Sequence, residues 1–187
     1  MIHRIFAAIK RRIRHQVVLL YARKNSLKSI KNRQGNNILI ICYGNIYRSP
    51  LAEHLLNMLC SQSDITTRSA GFHEKVNRAC EPEYLNILTN YGYDLSSHRS
   101  KRVTVDDVYW SDVIIIMDRK NWDMIHDLYP KSSAKTVWIG AFSKAVGIEV
   151  VDPYDKNNVI LNSVIKDIQT CIKDICRVLS LDNKRYQ

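Results

Sequence analysis

The chain has 187 residues, 45% of them hydrophobic and 25% charged, which suits one globular domain with an appendage and excludes a disordered, collagen-like or coiled-coil chain. Its net charge of +10 is unevenly placed: residues 1–37 hold ten Lys or Arg and no acid, leaving 18 basic against 18 acidic residues in the remainder. The basicity belongs to an arm on a neutral body, which argues against a nucleic-acid-binding fold.

The arm comes first. Ile2, Ile5, Phe6, Ile9, Ile13, Val17, Leu20 and Tyr21 recur at helical spacing, with Arg4, Lys10, Arg11, Arg12 and Arg14 mostly on the other faces. This predicts a basic amphipathic helix, followed by a polar linker over Lys24–Asn37. The same cations interrupt any leader-like apolar core in Met1–Tyr21. The chain therefore divides into a basic extension and linker over 1–36 and a catalytic-size unit over 37–187. The body opens on a buried strand, Asn36–Tyr43, whose apolar run Ile38–Cys42 is far too short to span a bilayer. Ser49 is placed as N-cap and Pro50 as first residue of a helix with Leu51, Leu55 and Leu59 on one face. A strand over Ile65–Ala70 stops at Gly71, and a helix runs from Glu81-Pro82 to Asn90. Asp112–Met117 is a second buried strand, Asp118 caps a helix through Trp122, Ile125 and Leu128, and Lys135–Ile139 is a fourth strand. The last helix spans Asn157–Leu179. Alternating strands and helices imply an α/β fold: an open four-stranded parallel sheet with helices on both faces, plus the N-terminal helical extension. In such folds ligands bind beyond the carboxyl ends of the strands.

The carboxyl end of the first strand is Cys42, and the residues after it read Tyr43-Gly44-Asn45-Ile46-Tyr47-Arg48-Ser49-Pro50. A strand, a short turn and a helix start bring backbone N–H groups and a positive dipole end to one point, an anion cradle. Gly44 permits a positive φ and Asn45 tolerates one. Arg48 adds a fork that matches two phosphoryl oxygens. The field that holds an anion also stabilises a thiolate, so Cys42 is a nucleophile at the cradle floor. Such chemistry needs an acid for the leaving oxygen and a base for water. Asp152, stiffened by Pro153 and followed by the aromatic Tyr154, lies on the loop after the fourth strand, where Asp-Pro also reads as an ordinary turn. Five cysteines, Cys42, Cys60, Cys80, Cys171 and Cys176, show no zinc spacing, and a reducing, cytoplasmic setting is expected.

Taken with Ser69-Ala70-Gly71, His98-Arg99-Ser100, Asp112 to Asp118 and Asp152-Pro153-Tyr154, this set resembles the low-molecular-weight protein tyrosine phosphatase family over roughly residues 37–180. Ser69–His73 and Leu95–Ser100 are similar to bacterial members associated with exopolysaccharide tyrosine kinases. The resemblance implies a phosphotyrosine hydrolase working through a phosphocysteine, without cofactor or metal. Its implied roles are Cys42 as nucleophile, Arg48 as phosphate clamp and Asp152 as acid and base. Ser49 would support the leaving thiolate, Asn45 would brace the loop, and His98 would belong to the network holding Asn45. Tyr43, Gly44, Ile46, Tyr47 and Tyr154 would complete the substrate site. Three positions depart from the family pattern or discriminate within it. Tyr47 stands where a second cysteine is common, which removes a local disulfide. Ile46 is bulkier than the threonine of arginine-phosphatase members. Asp155 replaces a frequent aromatic. A thioredoxin-coupled arsenate reductase and a phosphotyrosine-binding module without turnover are the alternatives. The first needs two relay cysteines and the second the loss of Cys42 or Asp152, and neither condition is met. The implied partner is a phosphotyrosine protein, a membrane-bound tyrosine kinase. Residues 1–24 either lie on an anionic membrane at its inner face or pack on the body or a second copy.

Overall fold

The computed structural model describes the backbone of residues 2–183 and the side chains of residue 13 and residues 16–180. The sheet is built from β1 (Asn37–Cys42), β2 (Thr66–Gly71), β3 (Val113–Ile116) and β4 (Thr136–Trp138), in the order β2-β1-β3-β4. Every pair is parallel. The expected four-stranded parallel sheet is therefore present. β1 and β3 lie inside it and are the two most continuously apolar segments, since a central parallel strand buries both faces.

Alternation along the strands sorts the core into two layers. Ile38, Ile40, Cys42, Val113, Ile115 and Met117 face α2 (Arg48–Leu59), α3 (Pro82–Asn90) and α6 (Asn158–Asn183). Leu39, Ile41, Ile114 and Ile116 face α4 (Val105–Trp110) and α5 (Arg119–Leu128), through Val108 and Ile125. Helix α4 escaped the sequence reading because six residues are too few for a periodic pattern. Its signature is local: Thr104 accepts from the Asp107 N–H and Asp107 returns a bond to Thr104, a reciprocal cap.

The arm differs from expectation. α1 runs without interruption over Ile2–Lys31, so the polar stretch taken as linker is mostly helix. Ala22, Ser26 and Ile30, four residues apart, are buried against the β4 edge of the sheet. The middle member is a serine, which hides the seam in a hydropathy pattern. It is satisfied by accepting from the Trp138 N–H at 3.1 Å. Ser29 donates to the Ala134 carbonyl at 2.8 Å, and Arg23 to the Ala141 carbonyl at 3.2 Å and to the Ser143 carbonyl. As residue numbers fall along α1, their partners' numbers rise along β4, so the two run antiparallel. The N-terminal half of α1 thus leaves the body past the carboxyl ends of the strands. The side chains of Ile2, Ile5, Phe6, Ile9, Arg4, Lys10, Arg11, Arg12 and Arg14 lie outside the described residues.

Candidate active site

β1 ends at Cys42, paired in register with Gly71 of β2, and the chain turns through residues 43–47 into α2. α2 begins at Arg48, and Ser49 does not cap it. The Ser49 hydroxyl lies instead 3.0 Å from the Cys42 sulfur, while the Asn45 N–H points at the same sulfur from 3.2 Å. Cys42 is 2% exposed. Two donor-capable groups and the start of a helix therefore converge on the one sulfur.

Asn45, not Gly44, adopts the left-handed backbone, with φ 52°. Its fully buried side chain explains why a non-glycine is tolerated there. The amide donates to Ser49 Oγ and Ser69 Oγ, both at 3.0 Å, and its oxygen accepts from the Lys101 N–H at 2.8 Å. The Ser69 hydroxyl goes on to Glu53 at 2.6 Å. His98 Nε2 lies 2.8 Å from the Asn45 carbonyl. Burial lowers the pKa of His98, partly opposed by that hydrogen bond and by Glu53, so the ring is held neutral with its Nε2–H on the carbonyl. The turn is thus braced by three chain segments: α2, β2 and the loop of His98 and Lys101.

The crowded position is Gly71. A Cβ there would sit 2.7 Å from the Tyr43 carbonyl and 2.9 Å from the Asn45 nitrogen. Only glycine lets β2 pass so close behind the turn. Phe72 and His73 donate their N–H groups to the same Tyr43 carbonyl at 2.9 and 3.0 Å.

Arg48 is 1% exposed and held by acids from two loops. Its Nη1 donates to Asp118 at 2.5 Å and to the Val150 carbonyl at 3.0 Å, and its Nη2 lies 2.9 Å from Asp152. Burial alone would lower its pKa, but Cys42, Asp118 and Asp152 outweigh it and the net shift is upward. Asp118 does two jobs, since its other oxygen caps α5 at the Asn121 N–H, 2.8 Å away. The capping role was readable from the sequence. The contact with Arg48 needed the neighbouring position of β1 and β3, the one clue being an acid at the carboxyl end of a buried strand.

Above the thiol is a cavity of about 260 Å³ lined by Cys42, Tyr43, Gly44, Ile46, Tyr47, Arg48, Asp152 and Tyr154, joined by His73, Arg78 and Lys120, which sequence reasoning had not singled out. Tyr47 packs edge-on against buried Tyr84 at 4.9 Å, and burial, Glu81, Tyr154 and Asp152 push its phenol up to about 12. Tyr154 is exposed at the mouth. Of the positions read from the sequence, eight line the cavity, while Asn45, Ser49 and His98 stand behind its wall. None of the other four cysteines lines the cavity. Cys60 and Cys176 face each other at 2.9 Å beyond the opposite end of α2, Cys171 is buried in α6, and burial followed by Cys42 pushes the Cys80 thiol up to about 12.

The low molecular weight phosphotyrosine protein phosphatase family matches residues 37–185. The low molecular weight protein-tyrosine-phosphatase Ptp of Acinetobacter johnsonii is 30% identical over 141 residues, 75% of this chain and 96% of that one. The probable low molecular weight protein-tyrosine-phosphatase AmsI of Erwinia amylovora is 28% identical over 145 residues, 78% of this chain and 98% of that one. Among solved structures, the tyrosine phosphatase Wzb of Escherichia coli K30 with sulphate superposes with a TM-score of 0.71 at 27% identity, covering 77% of this chain and 98% of that one. The YwlE arginine phosphatase of Geobacillus stearothermophilus gives 0.74 at 22% identity, covering 82% and 98%, a likeness of fold alone. A thiol under a donor-lined turn, a buried arginine at the helix start and sequence kinship over the whole body agree: this chain belongs to the low molecular weight phosphotyrosine protein phosphatase family, a family of hydrolases.

Proposed function

We propose that the chain hydrolyses phosphotyrosine through Cys42, Arg48 and Asp152. The observation that carries this assignment is the shared cavity. The Cys42 sulfur lies at its floor under the Asn45 N–H and the Ser49 hydroxyl, with the Arg48 guanidinium and the Asp152 carboxylate opening into the same space. The incoming phosphoryl group takes the Arg48 donors now shared with Asp152, which frees that carboxyl to meet the ester oxygen. The Cys42 thiolate attacks phosphorus, the bond to the phenolic oxygen breaks, and Asp152, entering the step in its protonated form, delivers its proton to the departing tyrosine oxygen. Asp152 then takes a proton from water, the hydroxyl oxygen attacks phosphorus, and the phosphorus–sulfur bond breaks with Ser49 donating to the leaving thiolate. Inorganic phosphate is the second product, and no metal enters the scheme. The test is hydrolysis of 4-nitrophenyl phosphate by wild type, Cys42→Ser and Arg48→Lys. Both variants lose nearly all turnover while Cys42→Ser still binds phosphate. Near-normal turnover in Cys42→Ser would falsify the assignment.

The substrate we infer is a membrane-bound tyrosine kinase of polysaccharide biosynthesis, reached through residues 1–24. Two observations support this reading. Ile13, Val17, Leu20 and Tyr21 are exposed on α1 although apolar, in an arm with no acidic residue. The N-terminal half of α1 extends roughly 22 Å, at about 1.5 Å per residue, past the sheet edge that carries Cys42. A lipid surface gripping that half therefore lies on the active-site side of the molecule. Each Lys or Arg near an anionic surface contributes about 1 kcal/mol. Because Ala22, Ser26 and Ile30 are core residues, the test keeps the full chain. Lys10→Glu, Arg11→Glu and Arg12→Glu together abolish co-sedimentation with phosphatidylserine vesicles at low salt, and equal binding by this variant and wild type refutes the membrane reading.

A further inference from the structure

The mouth of the cavity is electrically lopsided. His73, Arg78 and Lys120 gather about Tyr43 and Gly44. The Lys120 ammonium stands 3.2 Å from the Tyr43 ring centroid, and His73 meets the same ring edge-on at 5.5 Å. Arg78 donates from Nη2 to the Gly44 carbonyl at 2.6 Å and from Nε to the Lys75 carbonyl at 3.1 Å. These bonds anchor the guanidinium and leave Nη1 with no hydrogen bond among the described residues. Lys120 is exposed, and neither it nor Arg78 is ion-paired to a carboxylate among the described residues. Around Tyr47 the charge has the other sign, from Asp152 and Glu81. His73 reports the cationic side: slight burial and then Arg78 and Lys75 lower its pKa, with Lys120 contributing and Glu74 opposing.

None of these cations is needed to hold the phosphoryl group, which the turn and Arg48 already surround. A cavity of about 260 Å³ takes one phenyl phosphate side chain and leaves the peptide backbone across the rim. Residues of an extended peptide follow one another at about 3.3 Å, so those one or two places from the phosphotyrosine lie over the charged groups. Resting on the phosphotyrosine reading above, we propose that Arg78 and Lys120 form a subsite for the carboxylate of an acidic residue flanking the phosphotyrosine, on the Tyr43 side of the mouth. The anchored guanidinium offers a planar pair of donors, and the lysine held over the Tyr43 ring offers a second point charge. On the opposite flank, Glu81 repels an acid. The substrate class is thus a phosphotyrosine segment that is acidic on one side only.

The experiment compares kcat/KM for phosphotyrosine peptides that differ at one neighbouring residue, Glu, Ala or Lys, placed first on one flank and then on the other. Each enzyme's rate on 4-nitrophenyl phosphate, which has no flanks, is its own denominator. For wild type, Glu on one flank raises kcat/KM about three- to tenfold over Ala, mainly through KM, while Lys lowers it. Glu on the other flank brings no gain, and the preference shrinks with added salt. In Lys120→Glu the order of Glu and Lys reverses. Equal rates for all peptides in wild type overturn the subsite, as does a Glu preference that survives in Lys120→Glu. Hydrolysis of 4-nitrophenyl phosphate with no hydrolysis of any peptide overturns the phosphotyrosine reading and the subsite with it.

Discussion

Asp118 ties the buried arginine to the scaffold, and its two oxygens allow the two roles to be separated. Oδ2 takes Arg48 at 2.5 Å and Oδ1 caps α5 at 2.8 Å. Asparagine is as good an N-cap as aspartate, but it carries no charge and has one acceptor for two donors. Removing one partner of a buried ion pair costs about 3–5 kcal/mol. The Arg48 side chain is 2% exposed and Asp118 18%, yet Asp152 stays within 2.9 Å of the guanidinium and offsets part of the loss. We therefore expect Asp118→Asn to lose about 2–3 kcal/mol and Asp118→Ala about 1 kcal/mol more, the worth of the cap. In a chain of this size that lowers Tm by about 5–10 °C for the asparagine variant. An arginine free to tilt by about 1 Å also costs on the order of 10²-fold in kcat/KM. Urea unfolding and 4-nitrophenyl phosphate kinetics on the three proteins measure both. Phosphate added to the unfolding assay stabilises Asp118→Asn at least as much as wild type, because the anion replaces the missing charge. An Asp118→Asn protein within 0.5 kcal/mol of wild type and with unchanged kcat/KM refutes the argument, since surface-like substitutions stay within about that margin.

Gly71→Ala pushes a methyl group into the backbone of the turn and is expected to cost about 1–3 kcal/mol in stability and at least tenfold in kcat/KM. Gly92→Ala, at φ 78° but with open space around it, loses stability without touching activity, and equal kinetics in the two variants removes the steric reading. Asp152→Asn slows hydrolysis of phosphotyrosine by about 10²–10⁴-fold but 4-nitrophenyl phosphate, with its better leaving group, much less. An equal loss on both passes the acid role to Asp155. His98 has a depressed pKa in the folded chain, so the unfolded chain binds the extra proton first. The stability from its neutral form is complete above the ordinary value of 6.5 and lost as pH falls through the lower folded value. Urea unfolding at pH 7.5 and 5.5 shows a larger drop for wild type than for His98→Gln, and identical drops contradict it.

The strands that carry the fold were legible because a parallel sheet buries both faces of its inner strands. Ile38–Ile41 of β1 and all of β3 are unbroken runs of Ile, Leu and Val, and no alternation was needed to find them. The turn was legible because its chemistry is contiguous: Cys42, Asn45, Arg48 and Ser49 are neighbours in sequence, and strand–turn–helix geometry aims them at one point. Ser49 was misread as a cap because α2 begins one residue earlier, at Arg48, so Ser49 already lies inside the helix and its hydroxyl turns to the Cys42 sulfur.

Contacts between distant segments were decided by tertiary structure. The positive φ falls on Asn45, not on the adjacent glycine, because Ser69 and Lys101 satisfy its amide and offset the strain. Gly71 looked like a strand terminator, and its reason is the turn of another strand packed behind it. Arg78, on the loop after β2, and Lys120, in the first turn of α5, meet only when β2 and β3 flank β1. The arm shows the division most plainly. Sequence by itself determined that residues 1–37 are basic and that residues 2–21 are helical in pattern, since charge and periodicity are properties of a segment alone. The direction of α1, with its C-terminal half in the core and its N-terminal half beyond the Cys42 edge, follows from Ser26, Ser29 and Arg23 finding acceptors and donors more than a hundred residues away. No local pattern encodes such a pairing, because the partners of those polar groups exist only once the sheet has formed.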